Sequence, residues 1–344
     1  MKKLLTFVSA ITAGAIGTAS ADVSVSGSSN FFYASGTGDA NSITNEESMS
    51  VVGGTLAFAM STETSNGVSV SSSITVSSDT DNVVASTANA GPGLGGMESI
   101  VFGMDGMTVT LGDINNAGSG TGGGGDVTSF AATHAASITT TTGNGAAGAD
   151  AAIDGIADGT GINVATSMGD IAVNATFVQN VGSGRNSLNT DTKTTGFSSG
   201  YAVDLGFSAL GASVNVAAGG STSQVEATSN NTAFGLEVSY PYSDVLTLSA
   251  GTSQGTLSDV EVDNMFVTAA YTMDADTTLS LGYSTKDNET TAGVVDEERL
   301  ITVNYSRSLG GGVSIFAEYA SADYDTNNTG SDGSSVALGT VVSF

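Results

Sequence analysis

Three carboxylates lie within segments in which apolar and polar residues alternate: Asp204, Glu237 and Glu318. Glu237, for example, stands between Leu236 and Val238. Successive side chains of a strand point to opposite faces, so each carboxylate faces away from its apolar neighbours. Carboxylates are costly in lipid but cheap in a watery lumen, where they influence ion selectivity. The spacing predicts such an electrostatic role, and the alternative is that the three are solvated side chains lining a wide pore.

A second group of carboxylates lies in a stretch of the chain, 113–161, that has no hydrophobic period and is rich in Gly, Ala, Thr and Asp. Loops of this length are usually functional or disordered. We predict that the stretch folds into the mouth of a barrel and narrows its channel, and the alternative is a disordered surface insertion. Carboxylates clustered in a pore favour cations. Those of this stretch are Asp113, Asp126, Asp150, Asp154 and Asp158.

Catalytic and metal chemistry find little support in the sequence. His134 is the only histidine and there is no cysteine, so a nucleophile would have no partner base. The run that begins at Asp323 resembles the start of a calcium loop, but Asn328 replaces its glycine and Ser334 its bidentate glutamate. We expect no enzyme activity and no cofactor, with weak calcium binding confined to the acidic loops.

The amino terminus has the features of a cleaved secretory signal: Lys2 and Lys3, a short apolar run, and an A-x-A site at residues 19–21. We therefore expect a signal peptide over residues 1–21 and a single domain over 22–344. The formal net charge of −27 excludes nucleic acid as a partner, because a polyanion gains nothing from such a surface. Glycine is abundant (47 residues), proline is scarce (2 residues), and Ser, Thr and Val are plentiful, a composition that favours strands over helices.

Period-two segments recur along the whole chain, and their connections alternate between short turns such as Asn66-Gly67 and long loops. Seven short and eight long connections predict sixteen strands. The stretches 253–262 and 286–297 are assigned to long loops, and the basic residues Arg185, Lys193 and Lys286 are assigned to solvated loop positions. An even number of strands with short turns on one rim is the signature of a transmembrane β-barrel. At sixteen strands such a barrel encloses an aqueous channel.

The same parity assigns an outer face. Arg299 and Arg307 share the parity of Ile301, and the segment between them spans about 20 Å, close to the height of the apolar band. We predict that both arginines anchor the barrel at the membrane interfaces. Aromatic girdles near the two rims are expected to include Tyr240, Tyr283 and Tyr305. The first strand of the mature chain and the last strand are expected to pair and close the cylinder.

Three segments resemble the alphaproteobacterial general porins: DVSVSGSSNFFYASG from Asp22, ESIVFGMDGMTVTLGD from Glu98, and the terminal SSVALGTVVSF. The resemblance implies a homotrimer of sixteen-stranded barrels in the outer membrane of a Gram-negative bacterium, in contact with lipid and lipopolysaccharide. It also implies that the third long loop lies inside the barrel and that Phe344 is read by the outer-membrane assembly machinery. Asp113 departs from the family, in which many members have an arginine.

These observations predict a non-enzymatic channel for the passive diffusion of small hydrophilic solutes and ions, with a preference for cations. The alternative is a secreted, acidic, glycine-rich surface adhesin without channel activity. A solenoid adhesin should show a fixed repeat of twenty to fifty residues. The chain shows none.

Overall fold

The computed structural model describes twelve stretches of the chain: residues 22–38, 47–77, 93–94, 99–114, 121–125, 127–128, 159–179, 197–223, 231–257, 260–289, 295–325 and 333–344. The predicted signal peptide, His134, Arg185, Lys193 and most of 113–161 lie outside these residues. In the described part no helix is long and apolar enough to cross a membrane.

The described residues form sixteen strands. The fourth strand comes in two segments that both pair with the third, and they continue one another along the sheet. The strands are β1 (Asp22–Gly38), β2 (Glu47–Glu63), β3 (Ser69–Ser77), β4 (Gly93–Leu94 and Ser99–Met104), β5 (Met107–Ile114), β6 (Gly159–Met168), β7 (Ile171–Gln179), β8 (Phe197–Ala209), β9 (Ala212–Ser223), β10 (Asn231–Ser243), β11 (Leu246–Leu257), β12 (Val260–Asp274), β13 (Thr277–Glu289), β14 (Val295–Gly310), β15 (Val313–Asp325) and β16 (Gly333–Ser343).

Each strand pairs in antiparallel fashion with the strands before and after it, and β1 pairs with β16 to close a barrel. The closing ladder runs from Ser28 opposite Ser343 to Gly38 opposite Gly333. Beyond it, the backbones of Gly27 and Phe344 exchange two hydrogen bonds of 3.0 Å each. The closed sixteen-stranded antiparallel barrel and the pairing of its first and last strands are confirmed.

Short turns join the strands at one rim, at the positions that the sequence predicts. The turn between β8 and β9 consists of Leu210 (φ 54°) and Gly211 (φ 81°), and both have a left-handed backbone conformation. Two successive residues of this kind form a two-residue hairpin turn whose twist matches that of the strands. Because leucine adopts this conformation at a cost, the barrel rather than the local sequence determines the turn.

At the other rim several connections are shorter than the sequence predicts. Leu257 of β11 pairs directly with Val260 of β12, so the long loop assigned to 253–262 is wrong. Likewise β13 continues to Glu289 and β14 begins at Val295, so Lys286 belongs to a strand. The outer face of these strand ends is charged, which removes the apolar alternation that marks a strand in the sequence. The backbone ladder nevertheless continues.

The two faces of the wall differ as the parity predicts. Large apolar side chains are exposed on the outer face, for example Phe234, Val267 and Leu281. The inner face carries mainly small and polar side chains, but it also buries three phenylalanines that the sequence analysis left unassigned: Phe32, Phe266 and Phe316. The ring of Phe316 lies against Gly339 of the neighbouring β16, where a Cβ would collide with it. Aromatic rings thus cover wall glycines that bring no side chain of their own.

Barrel closure can be tested by cross-linking, because the natural chain contains no cysteine. Asn30 and Val341 lie directly opposite each other on the inner face. Opposite residues of an antiparallel pair have Cα atoms about 4.5–5.5 Å apart, which suits a disulfide. We expect the variant Asn30→Cys/Val341→Cys to form an intramolecular disulfide under mild oxidation, seen as faster migration of the denatured protein on non-reducing gels.

The matched control is Asn30→Cys/Ala337→Cys. Ala337 pairs with Ala34, four residues further along the ladder, or about 13 Å away. Equal cross-linking of both double variants would contradict the register.

Candidate functional site

The inner wall of the barrel is the candidate site, because the carboxylates singled out within strands face it. Asp204 shares its face with the buried Ala202, and Glu237 shares its face with the buried Ala233. Glu318 lies on the same face as the buried Phe316 and Ala320, and only 2% of it is exposed. The register thus places Asp204, Glu237 and Glu318 on the lumen side of three different strands.

On the inner face of β6–β8, amide side chains form a hydrogen-bonded network with Asp204. The amide nitrogen of Asn163 on β6 donates to Asn174 Oδ1 on β7 (2.6 Å) and to the hydroxyl of Thr176 (2.7 Å). The amide nitrogen of Asn174 in turn donates to Asp204 Oδ2 on β8 (3.3 Å). Hydrogen bonds between neighbouring side chains hold the carboxylate of Asp204 in a fixed position on the wall.

On the inner face of β14 and β15, Glu318 is held by an amide from the neighbouring strand. The amide nitrogen of Asn304 on β14 donates to Glu318 Oε1 at 3.1 Å, and both residues are buried. A hydrogen bond to an ionised acceptor is stronger than one between neutral groups. Each of these two carboxylates therefore accepts a hydrogen bond from an asparagine on a neighbouring strand.

A lysine and a further glutamate line the same wall, and the sequence analysis missed both. Lys286 (7% exposed) on β13 and Glu298 (3% exposed) on β14 lie directly opposite each other in the ladder. The assignment of Lys286 to a solvated loop is wrong, because the strand extends past the apolar band. Lys286 follows Gly282 and Ser284 at intervals of two residues, so it shares their inward face once the strand is known to extend this far.

Residues 121–125 and 127–128, which belong to the long connection between β5 and β6, lie against the inner wall of β10–β14. We call these residues the inner segment. The hydroxyl of Thr302 on β14 donates to the backbone oxygen of Gly125 (2.7 Å) and accepts from the backbone N–H of Val127 (3.1 Å). The backbone N–H of Gly122 donates to Glu237 on β10. The inner segment is therefore bonded to the wall at both ends.

Glycines allow the inner segment to lie flat on the wall. A Cβ atom at Gly235 on β10 would overlap the backbone oxygen of Thr121, and one at Gly282 on β13 would overlap that of Gly125. Between these points the ring of Phe266 lies against Gly124. The approach of backbone to backbone leaves no space between the inner segment and the wall for a side chain at either wall glycine.

Only one of the carboxylates predicted for this connection, Asp113, belongs to the described residues. Asp126, Asp150, Asp154 and Asp158 lie outside the described residues. Asp113 pairs with Thr160 and has the parity of Leu111, whose side chain is exposed on the outer face. The ladder register therefore does not support the assignment of Asp113 to the lumen.

Metal binding finds no support in the described stretches, which contain no group of three or more His, Cys, Asp or Glu side chains that could hold an ion. Asp323, where the sequence resembles the start of a calcium loop, is exposed on the outer face of β15. It lies 3.9 Å from Arg299 Nη1, so a basic side chain is the neighbour that the structure gives to its carboxylate.

A family model described as Gram-negative porin matches residues 6–327. The chain belongs to the Gram-negative porin family. Its place is the outer membrane. No curated protein matches the porin in a sequence search.

Solved structures share its fold at low sequence identity. OmpF of Salmonella typhi has a TM-score of 0.70 at 10% identity, over 94% of this chain and 97% of that chain. An anion-selective porin from Comamonas acidovorans has a TM-score of 0.66 at 13% identity, over 94% and 100%. The trimer form of OmpT, an outer membrane protein of Vibrio cholerae, has a TM-score of 0.66 at 10% identity, over 94% and 99%.

The residues predicted as membrane anchors lie on the outer face of the porin. Tyr240 and Tyr283 are exposed there, and Tyr305 shares the face of Ile301. Arg299 forms an ion pair with Glu297 on its own strand, with Nη2 2.6 Å from Oε1. Arg307 is exposed near the short turn that follows β14. Their action as anchors stays a prediction.

The role of Asn304 can be tested through barrel stability. The substitution Asn304→Ala removes the donor to a buried carboxylate, and a hydrogen bond to a charged group contributes about 1.5–3 kcal/mol. We expect the temperature at which the folded porin converts to its heat-denatured form on gels to fall.

The control is Ser306→Ala, two residues along the same strand and on the same face, where a half-buried hydroxyl is lost. An equal fall in both variants would show that the loss of any polar group from this strand is responsible, and not the bond to Glu318.

Proposed function

We propose that the porin is a passive, water-filled channel through which small hydrophilic solutes and ions diffuse, with a preference for cations. The observation that carries the cation preference is the charge of the inner wall. Asp204, Glu237, Glu298 and Glu318 face the lumen, whereas Lys286 is the only basic side chain on the inner face of the described strands. Rings and clusters of carboxylates favour cations in a pore.

The fold does not determine the sign of the selectivity. The solved porin from Comamonas acidovorans is described as anion-selective, although its fold is similar. A barrel of sixteen strands is too wide for wall side chains to fill, so its selectivity depends on which charges line the lumen. The asparagine bonds to Asp204 and Glu318 support this proposal, because an amide that donates to a carboxylate fixes its position and carries no charge of its own.

Solute size is the second property that we assign to the lumen. The inner segment lies between the wall and the lumen axis, so it reduces the open cross-section on the side of β10–β14. We infer that the connection 113–161 acts as a constriction loop, with the inner segment as the part of it that is held to the wall. Covalent chemistry has no place in this function, and neither an enzyme activity nor a cofactor is proposed.

The assembly is inferred to be a homotrimer. The trimer form of OmpT from Vibrio cholerae has a similar fold, and the resemblance to alphaproteobacterial general porins implies the same state. Outer-face positions of β3 with weak apolar character, Val70, Ser72 and Ile74, are candidates for a contact between subunits. Contact with lipopolysaccharide, recognition of Phe344 by the assembly machinery, and membership of the alphaproteobacterial subgroup are proposals of the same kind.

The cation preference can be measured by reversal potential in planar bilayers under a salt gradient. We expect wild-type channels to prefer cations and the variant Asp204→Asn/Glu237→Gln/Glu318→Gln to shift the potential towards zero. An anion-selective wild-type channel would refute the proposal.

A control variant removes two carboxylate charges from the outer face. Asp263 and Asp287 are exposed there, on β12 and β13. We expect Asp263→Asn/Asp287→Asn to leave the reversal potential close to that of the wild-type channel. A shift as large as that of the lumen variant would mean that total charge, and not lumenal charge, sets the preference.

The oligomeric state can be measured by light scattering of the detergent-purified protein, with the detergent mass subtracted. We expect three chains per particle, and a monomer would contradict the trimer. The substitution Ser72→Arg places a charge on the outer face of β3, where it disfavours a packed interface. We expect this variant to dissociate more readily than Ser321→Arg, its counterpart on the outer face of β15.

A further inference from the structure

We propose that Gly235, Gly282 and Thr302 form a seat for the inner segment, and that this seat sets the open cross-section of the channel. The proposal rests on the channel function proposed above and names the residues that position the constriction. The three seat residues lie on β10, β13 and β14, so the seat spans five neighbouring strands of the wall.

Steric contacts match the seat to the inner segment. Wall residues at the seat have no side chain where the backbone of the inner segment passes: a Cβ at Gly235 would overlap the oxygen of Thr121, and one at Gly282 would overlap the oxygen of Gly125. Other inward glycines of the wall face different neighbours. A Cβ at Gly206 on β8, for instance, would meet Asn215 Oδ1 at 3.1 Å and Ala172 Cβ at 3.7 Å, and no atom of the inner segment. The glycines of the seat are thus placed where the segment needs them.

Hydrogen bonds also hold the inner segment on the seat. The single hydroxyl of Thr302 donates to Gly125 and accepts from Val127, so it satisfies two backbone groups that flank one residue of the segment. Valine at this position would keep the shape of the side chain and lose both bonds. Backbone groups away from water need such partners, because each unpaired group costs free energy.

The inner segment is matched to the seat on its own side. Gly122 has φ +78°, a conformation that other residues rarely adopt, and a Cβ there would overlap the backbone oxygen of Thr252 on β11. A Cβ at Gly124 would lie 2.7 Å from the ring of Phe266. Glycine is therefore required on both sides of this contact, and the segment has no room to move closer to the wall.

The consequence for the channel has a direction. Because the segment lies directly on the wall, any group added beneath it must move it towards the lumen axis, since packed interiors relieve overlap by displacement. A bulkier side chain on the seat therefore narrows the open cross-section of the channel. Loss of the Thr302 bonds has a different effect, because the segment is then free to leave the wall intermittently and to fluctuate within the lumen.

The experiment uses the full chain with the substitutions Gly282→Ala and Thr302→Val. We expect Gly282→Ala to lower single-channel conductance and to exclude sugars that wild-type channels admit in liposome swelling. We expect Thr302→Val to increase the current noise of the open state. The controls are Gly206→Ala and Thr110→Val, inward positions of β8 and β5 that leave the seat intact, and they should conduct as the wild type does.

A second readout does not depend on conduction. Hydrogen exchange of the amides of the inner segment, measured by mass spectrometry, should be slow in the wild type and roughly thirtyfold faster in Thr302→Val, the factor expected for the loss of two hydrogen bonds. The two controls should exchange as the wild type does. This measurement tests the seat even in a protein that does not conduct.

The outcomes separate the two proposals. Folded variants with wild-type conductance, noise and exchange would overturn the seat while leaving the channel function intact. An increase in conductance in Gly282→Ala would overturn it as well, because a segment pushed from the wall must narrow the lumen. A wild-type protein that does not conduct but protects residues 121–128 would refute the channel and support the seat.

Discussion

The need to satisfy every backbone hydrogen bond in a medium without water dominates this structure. Lipid offers no partner to an exposed N–H or C=O group, so a spanning sheet must close on itself. The ladder between β1 and β16, extended by the mutual bonds of Gly27 and Phe344, completes that closure. Closure at sixteen strands fixes a wide lumen, and a wide lumen cannot be filled by the side chains of the wall. The channel is thus a consequence of the way in which the backbone is satisfied.

Given that lumen, the functional questions become questions about what occupies it. Because successive side chains of a strand point to opposite faces, one face of the wall meets lipid and the other meets water. The carboxylates lie on the face that meets water. Asparagines then hold two of them, Asp204 and Glu318, at defined positions. The inner segment occupies part of the remaining space. It is held by close backbone contacts with the wall and by hydrogen bonds to wall side chains. The proposed ion selectivity and the proposed size exclusion therefore have separate structural origins in the same barrel.

Much of this follows from the sequence, and the exceptions share a physical reason. The strand number, the short turns and the inward facing of Glu237 follow from period-two alternation, which is strong wherever one face meets lipid. The same alternation is lost at the strand ends beyond the apolar band, where both faces are polar. For that reason the sequence predicts a loop for the strand end that carries Lys286. Phe266 and Phe316 were not recognised as inward residues, because hydropathy does not reveal a glycine on the neighbouring strand for a ring to cover. The seat could not be inferred at all, since it joins residues far apart in the chain.

The seat has one further consequence, which concerns the medium in which the protein works. Attraction between charges weakens as dissolved ions accumulate, with a screening length of about 10 Å at 0.1 M salt and about 3 Å at 1 M. The inner segment is held by glycine contacts, by a neutral hydroxyl and by one amide bonded to Glu237, and the contacts described for it contain no ion pair. Its position should therefore be indifferent to ionic strength, even though the chain carries a large negative charge. We therefore expect the bore of the pore to stay constant in brackish and saline water alike, while the proposed discrimination between ions weakens as salinity rises.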